Sequence, residues 1–175
     1  YGLIYAGAQK NLSAAGVTLV IIRDDLLEQC AGDLPTLLSY RTHAKKNSLY
    51  NTPPTFPIYL MNLVLGWIDE NGGVEGMEKR NAEKAEMLYG LIDENPTFFI
   101  SPVEKDSRSR MNVVFRLPEE SLEKELIARA TENDFIGIKG HRSVGGIRIS
   151  MYNSASPETI RELVEFLRDF AAEKS

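Results

Sequence analysis

Three stretches of the chain carry residue types that could do chemistry together. Lys10 stands where a short apolar run, Leu3 to Ala8, meets a turn, and it follows Ala6-Gly7-Ala8-Gln9, whose small side chains let a bulky group lie against the backbone. A lysine attacks a carbonyl only as the neutral amine, so a catalytic lysine needs a desolvated or electropositive site. Lys10 and Arg23 are the only charges in residues 1 to 23, which allows such a site. The plainer reading is a solvated lysine at a strand end. The second stretch, Gly140-His141-Arg142-Ser143-Val144-Gly145-Gly146, has glycines that free the backbone to expose N–H groups to a ligand. On the strand after it, alternation puts Ile147, Ile149 and Met151 on one face and Arg148 with Ser150 on the other. Arg142 and Arg148 are therefore expected to converge on a carboxylate or phosphate, which a guanidinium grips through two parallel hydrogen bonds. Surface arginines beside a flexible turn are the alternative. The third stretch is Asn51-Thr52-Pro53-Pro54 at a helix start, where Thr52 suits the N-cap and Pro53 the first helical position. Its prolines remove backbone donors from an otherwise anion-binding helix end, which leaves the Asn51 and Thr52 side chains as contacts. Ordinary capping is the competing role for Thr52.

The charge pattern makes these stretches stand out. The 175 residues carry 20 Lys+Arg against 25 Asp+Glu, a formal charge of −5 and a pI of about 5.2, so no global positive field exists to hold a nucleic acid. Residues 34 to 68 contain no acid but hold Arg41, Lys45 and Lys46; residues 135 to 157 contain none but hold Lys139, Arg142 and Arg148. Acid-free cationic stretches in a net acidic chain point to a local positive potential for a small anion. Other chemistries lack their residues. Cys30 is the single cysteine, and His43 and His141 are the two histidines, which gives no zinc set at a recognised spacing. There is no G-x-S-x-G elbow, and the glycine pairs at 72–73 and 145–146 fit neither a dinucleotide fingerprint nor a P-loop.

A chain with 43% hydrophobic residues can fill one sizeable core or two small ones. Leu3 to Ala8 reads as a short buried strand and the β-branched run Val17 to Ile22 as another. Asp24 to Gln29 reads as one or two helical turns, and Asp33 to Tyr50 as a polar loop. Ile58, Leu60, Met61, Val64, Leu65 and Ile68 carry a helix that Asn71-Gly72-Gly73 stops. A second helix covers Val74 to Glu94 and ends at Asn95-Pro96. The texture then becomes strand, strand, helix, strand, strand, helix: 98–101, 111–117, 119–133, 135–139, 147–152 and 157–173, the last capped by Ser156. This alternation predicts a small α+β layer with helices on one face of a mostly antiparallel sheet. The boundary falls near Asn95, dividing the chain into 1–72, a connecting helix 73–95, and a C-terminal α+β domain 96–175. The single Trp67, Tyr59, Tyr89, Met61 and Met77 sit at helical spacing and read as core. No apolar run reaches the roughly 18 residues of a membrane helix, no signal peptide is visible, and the lone cysteine fits a reducing compartment, so a cytoplasmic location is expected. Tyr1 to Ala8 already reads as the interior of an element, which suggests a piece of a longer chain.

Four segments closely resemble the phosphoserine aminotransferase family: residues 1–11 (YGLIYAGAQKN), 48–56 (SLYNTPPTF), 67–73 (WIDENGG) and 139–148 (KGHRSVGGIR). The similarity runs in one order through essentially the whole chain. That family belongs to the class V, fold-type I α/β enzymes that use pyridoxal 5′-phosphate (PLP). The resemblance implies that this chain is the end of the large PLP-binding domain plus the small C-terminal domain. It makes Lys10 the Schiff-base lysine and Gln9 a neighbour of the cofactor phosphate. Asn51 and Thr52 would reach that phosphate from the partner subunit of a homodimer. Arg148 would clamp the substrate α-carboxylate, and His141 with Arg142 would contact the substrate's own phosphate. The implied reaction passes an amino group from L-glutamate to 3-phosphohydroxypyruvate, giving O-phospho-L-serine and 2-oxoglutarate in serine biosynthesis. The family's acid at the pyridine nitrogen, its ring-stacking aromatic and its upstream phosphate loop have no counterpart here, so the isolated chain is expected to be inactive. The competing readings are a non-catalytic anion-binding or regulatory α+β module, and a PLP aminotransferase for another substrate.

Overall fold

The structure is a computed structural model that describes residues 1–174; Ser175, the end of the expected C-terminal domain, lies outside the described residues. The chain divides into two compact units, one from Tyr1 to Glu70 and one from Asn71 onward.

In the first unit, β1 (Leu3–Gly7) pairs antiparallel with β2 (Thr18–Ile22), in register from Leu3 opposite Ile22 to Gly7 opposite Thr18. The run of β-branched residues in β2 favours a pleated, extended backbone. α1 (Asp24–Glu28), a single 3-10 turn at Thr36–Leu38 and α2 (Tyr40–Lys45) follow. α2 falls in the stretch that reads as a loop. Its support is long-range and so invisible to periodicity: the Arg41 guanidinium reaches back to the carbonyls of Leu27, Glu28 and Cys30 at 2.7–3.3 Å. α3 (Thr55–Glu70) starts later than Thr52. A residue that precedes proline is pushed out of the helical region, and both Thr52 and Pro53 precede one, so the helix waits until the prolines are passed. Thr52 is therefore not the N-cap. The first strand, expected to be buried, is not covered: Tyr5 is 71% exposed, Ile21 of β2 is 58% exposed, and Ala8 is the one residue of this unit in the buried core.

The second unit contains α4 (Gly73–Glu94), β3 (Asn112–Phe115), α5 (Glu120–Glu132), β4 (Ile147–Ser150) and α6 (Pro157–Lys174). β3 and β4 pair antiparallel, with Val113 opposite Ile149 and Phe115 opposite Ile147. Single bridges, Ile100 to Arg116 and Lys139 to Ile147, replace the strands expected at 98–101 and 135–139. Backbone chemistry explains both. The N–H groups of Phe98 and Phe99 donate to the Asn95 carbonyl and so leave the ladder, while Asp134 and Gly137 adopt positive φ, which breaks a strand. The core packs Leu88, Leu91 and Ile92 of α4 with Val113 and Phe115 of β3, Ile147 and Ile149 of β4, and Leu163, Leu167 and Phe170 of α6. α4, which reads as a connector, is thus an integral part of this core. Phe99 makes edge-on contacts with Phe98 and Phe115, at 5.0 and 5.3 Å between ring centres. The start of α6 is as expected, with the Thr159 N–H donating to Ser156 Oγ at 3.1 Å.

Lys84 on α4 is fully buried, and its Nζ donates to the carbonyls of Met151, Tyr152 and Ala155 at 3.2, 2.9 and 3.1 Å. Burial, helped by the nearby Arg80 charge, lowers its pKa from 10.5 to about 8. The lysine ties the loop after β4 to α4, and Asn81 Nδ2 adds a bond to Asn153 Oδ1 at 2.9 Å. Among the described residues no helix is long and apolar enough to cross a membrane.

Candidate functional site

The loop after β1 presents Gln9 and Lys10, both exposed. It is held by its own backbone: Ala8 N–H donates to Val17 O at 3.0 Å, and the N–H groups of Leu12 and Ser13 converge on Ala8 O at 3.1 and 2.8 Å. A Cβ at Gly7 would lie 2.5 Å from Gln9 Oε1, so a larger residue there would make the Gln9 side chain turn away. The Ser13 hydroxyl donates to the Pro57 carbonyl at 2.5 Å, which ties the lysine loop to the first turn of α3. Gly16, at φ +114°, lets the loop close against Pro57 and Pro54. Ser13 is a residue that sequence reasoning passed over, since its partner lies 44 positions away. Asn51 and Thr52 are exposed ahead of the same helix; Asn51 Nδ2 donates to Thr52 O at 3.3 Å. Lys10 has no acid partner among the described residues, and the Thr52 hydroxyl has no bonded partner there.

In the second unit the segment from Gly140 to Gly146 folds into a closed turn. Gly140 N–H donates to Gly146 O at 2.8 Å, and the N–H groups of Val144 and Gly145 donate to His141 O at 3.0 and 2.7 Å. Gly145 and Gly146 have φ of +74° and +72°, a region that favours glycine. The Ser143 N–H donates to His141 Nδ1 at 3.3 Å, with Ser143 Oγ 2.7 Å from the same nitrogen. Nδ1 used as an acceptor places the neutral ring's proton on Nε2, which is left to donate to an anion. His141 and Arg142 line one cleft of about 550 Å³ with Arg116, Lys124 and Lys139, whose acids are Glu120 and Glu123.

Arg148 is placed differently. It projects from β4 opposite Val114, between the buried Ile147 and Ile149, and lines a separate cleft of about 200 Å³ with Ile138 and Thr159. Arg142 and Arg148 thus line two different clefts of this unit, the first carried on the turn and the second on the strand that follows it. Arg148 Nε is buried without a hydrogen-bond partner. Five other arginines of this unit are paired with acids: Arg108 with Asp93, Arg110 with Glu78, Arg116 with Glu123, Arg129 with Glu173 and Arg168 with Glu94. Arg142 and Arg148 have no acid partner among the described residues.

A family model for class-V aminotransferases matches residues 2–163, which takes in every candidate residue named above. The chain belongs to the class-V aminotransferase family. Among its relatives, "Phosphoserine aminotransferase" of Geobacillus kaustophilus is 56% identical over 170 residues, 97% of this chain and 47% of the relative. The protein of the same name from Herpetosiphon aurantiacus is 52% identical over 99% of this chain and 48% of its own length. Of the solved structures, phosphoserine aminotransferase from Bacillus circulans subsp. alkalophilus matches with a TM-score of 0.98 at 50% identity, covering 100% of this chain and 48% of that one. The PLP-bound enzyme of Trichomonas vaginalis matches with a TM-score of 0.90 at 40% identity, over 95% of this chain and 48% of that one. The class-V aminotransferase chain thus spans about half the length of the relatives it matches.

Proposed function

We propose that this chain is the C-terminal half of a PLP-dependent phosphoserine aminotransferase, which transfers the amino group of L-glutamate to 3-phosphohydroxypyruvate as a cytoplasmic homodimer. The observation that carries the reading is that Lys10, Arg142 and Arg148 are among the cations with no acid partner in the described residues, in a chain 56% identical to a relative of that name. The donor set fits the cofactor. An exposed primary amine beside Gly7 and Ala8 has room for an aromatic aldehyde, and the Gln9, Asn51 and Thr52 side chains offer donors to a phosphate. Lys10 would hold PLP covalently, Gln9 would contact its phosphate, and Asn51 with Thr52 would reach the phosphate of the neighbouring subunit's cofactor. When bound, PLP supplies an electron-withdrawing ring that stabilises the carbanion left by loss of the substrate α-proton.

The chain's own residues do the rest. Once substrate displaces it, the Lys10 amine takes the α-proton as general base and returns it as general acid. Arg148 holds the α-carboxylate, and its unsatisfied Nε is completed by that anion. His141, donating from Nε2, and Arg142 hold the phosphate that distinguishes phosphohydroxypyruvate from other keto acids. Family membership disfavours a free-standing regulatory module, which would have no use for Lys10.

The test joins this chain to the N-terminal half of the Geobacillus kaustophilus relative and assays glutamate-dependent phosphoserine formation. The joined protein should be active, the 175-residue chain alone should form no steady 2-oxoglutarate, and Lys10→Ala should abolish turnover. Borohydride reduction with PLP followed by peptide mapping should label Lys10. A labelled peptide elsewhere, or full activity in Lys10→Ala, overturns the assignment.

A further inference from the structure

The turn that carries His141 and Arg142 does not hold itself alone. Arg116, the last bridged residue beyond β3, lies beneath it: Nη1 donates to Val144 O at 3.1 Å, and Nε donates to Glu123 Oε1 at 2.8 Å. The same Oε1 accepts from the Leu117 N–H at 3.3 Å. Glu123, on the first turns of α5, has a side chain only 6% exposed, whereas that of Arg116 is 44% exposed. A carboxylate so buried is stabilised by its pairing, and here the pairing fixes the guanidinium from behind. The turn is shaped around that guanidinium. A Cβ at Gly146 would lie 2.6 Å from Arg116 Cδ and 2.8 Å from Phe115 O, and one at Gly145 would lie 3.7 Å from Arg116 Nη1. Glycine at position 146 thus answers to close approach by this side chain as well as to its positive φ.

We propose that Arg116 is a positioning residue: anchored by buried Glu123, its guanidinium holds the Val144 carbonyl and so sets the turn that presents His141 and Arg142. The inference rests on the proposed phosphate role of that turn for its consequence, but the clamp is a property of the second unit alone. It also sorts the cations of the cleft. Arg116 spends two of its nitrogens on the protein, while Arg142 spends none, so the first orients and the second binds.

The experiment uses the isotopically labelled 175-residue chain, with inorganic phosphate as the probe. Backbone relaxation reports order at residues 141–146, and chemical shifts of His141 and Gly145 report phosphate. In the unsubstituted chain the turn should relax as rigid backbone, with order parameters of about 0.85. Arg116→Met keeps the aliphatic stem and should drop the turn below about 0.6, with an about tenfold weaker phosphate response. Arg116→Lys, whose single nitrogen serves either Val144 or Glu123, should fall between. Unchanged signals from Phe115 and Leu167 would show that the core is intact in each variant. A turn that stays equally ordered in Arg116→Met, with the phosphate response unaltered, overturns the clamp; so does Arg116→Lys behaving worse than Arg116→Met. If the unsubstituted chain shows no phosphate response while the turn still loosens in Arg116→Met, the clamp stands and the phosphate reading of the cleft falls.

Discussion

The two units differ in what their apolar side chains meet. In the second, β3 and β4 alternate between buried and half-buried residues, and every buried apolar face has a helix of the same unit against it. In the first, β1 and β2 are as rich in β-branched and aromatic residues, yet Ile4, Tyr5, Leu19 and Ile21 stand open. Burying apolar surface is the dominant favourable term in folding, so the second unit has a source of stability that the first, with only Ala8 buried, has far less of. The candidate amine, Lys10, lies on the unit whose strands stand open, and the candidate anion-binding residues His141, Arg142 and Arg148 lie on the unit with a buried core of its own.

The sharpest way to break this contrast is a matched pair of truncations. Leu167→Ala, at a fully buried position, should cost about 2–5 kcal/mol in denaturant unfolding of the second unit. Leu19→Ala, at a position 40% exposed, should stay within about 0.5 kcal/mol. Equal costs would show that the first unit has a core after all. Next in size is the pH dependence of Lys84. Its amine titrates near 10.5 when unfolded and near 8 when folded, so between those values the unfolded chain binds more protons and stability rises with pH. Below about pH 8 both states are protonated and the burial penalty is present in full. The rise, about 3 kcal/mol if the shift is complete, should vanish in Lys84→Met, measured as unfolding free energy from pH 7 to 10.5. A variant that keeps the same slope would assign the titration elsewhere. The smallest effect separates the two helix starts. Ser156→Ala should cost about 1 kcal/mol, because Ser156 Oγ takes the Thr159 N–H, whereas Thr52→Ala should leave α3 unchanged in hydrogen exchange.

Much of the layout was legible because it is written in local chemistry. α4, α5 and α6 follow from 3.6-residue periodicity, β1 and β2 from β-branched runs, and the cap at Ser156 from a serine preceding proline. Local rules failed where they compete. Thr52 looked like a cap by type, but the double proline moved the helix start to Thr55. Phe98 and Phe99 looked like a strand, but their N–H groups serve the end of α4. At the candidate site, the types and acid-free surroundings of Lys10, His141, Arg142 and Arg148 were readable as chemistry. Their supports were not, because Ser13 meets Pro57, and Arg116 meets Val144, across 44 and 28 positions.

Residue order alone therefore specified which side chains are candidates for chemistry, which stretches lack neutralising acids, and where most helices form, since each depends on neighbours within a few positions. The folded chain decided which cations stay unpaired, that Arg142 and Arg148 face different clefts, and that Lys84 is sealed under three carbonyls. Pairing, burial and direction are set by groups distant in sequence, and only their packing brings those groups within bonding range.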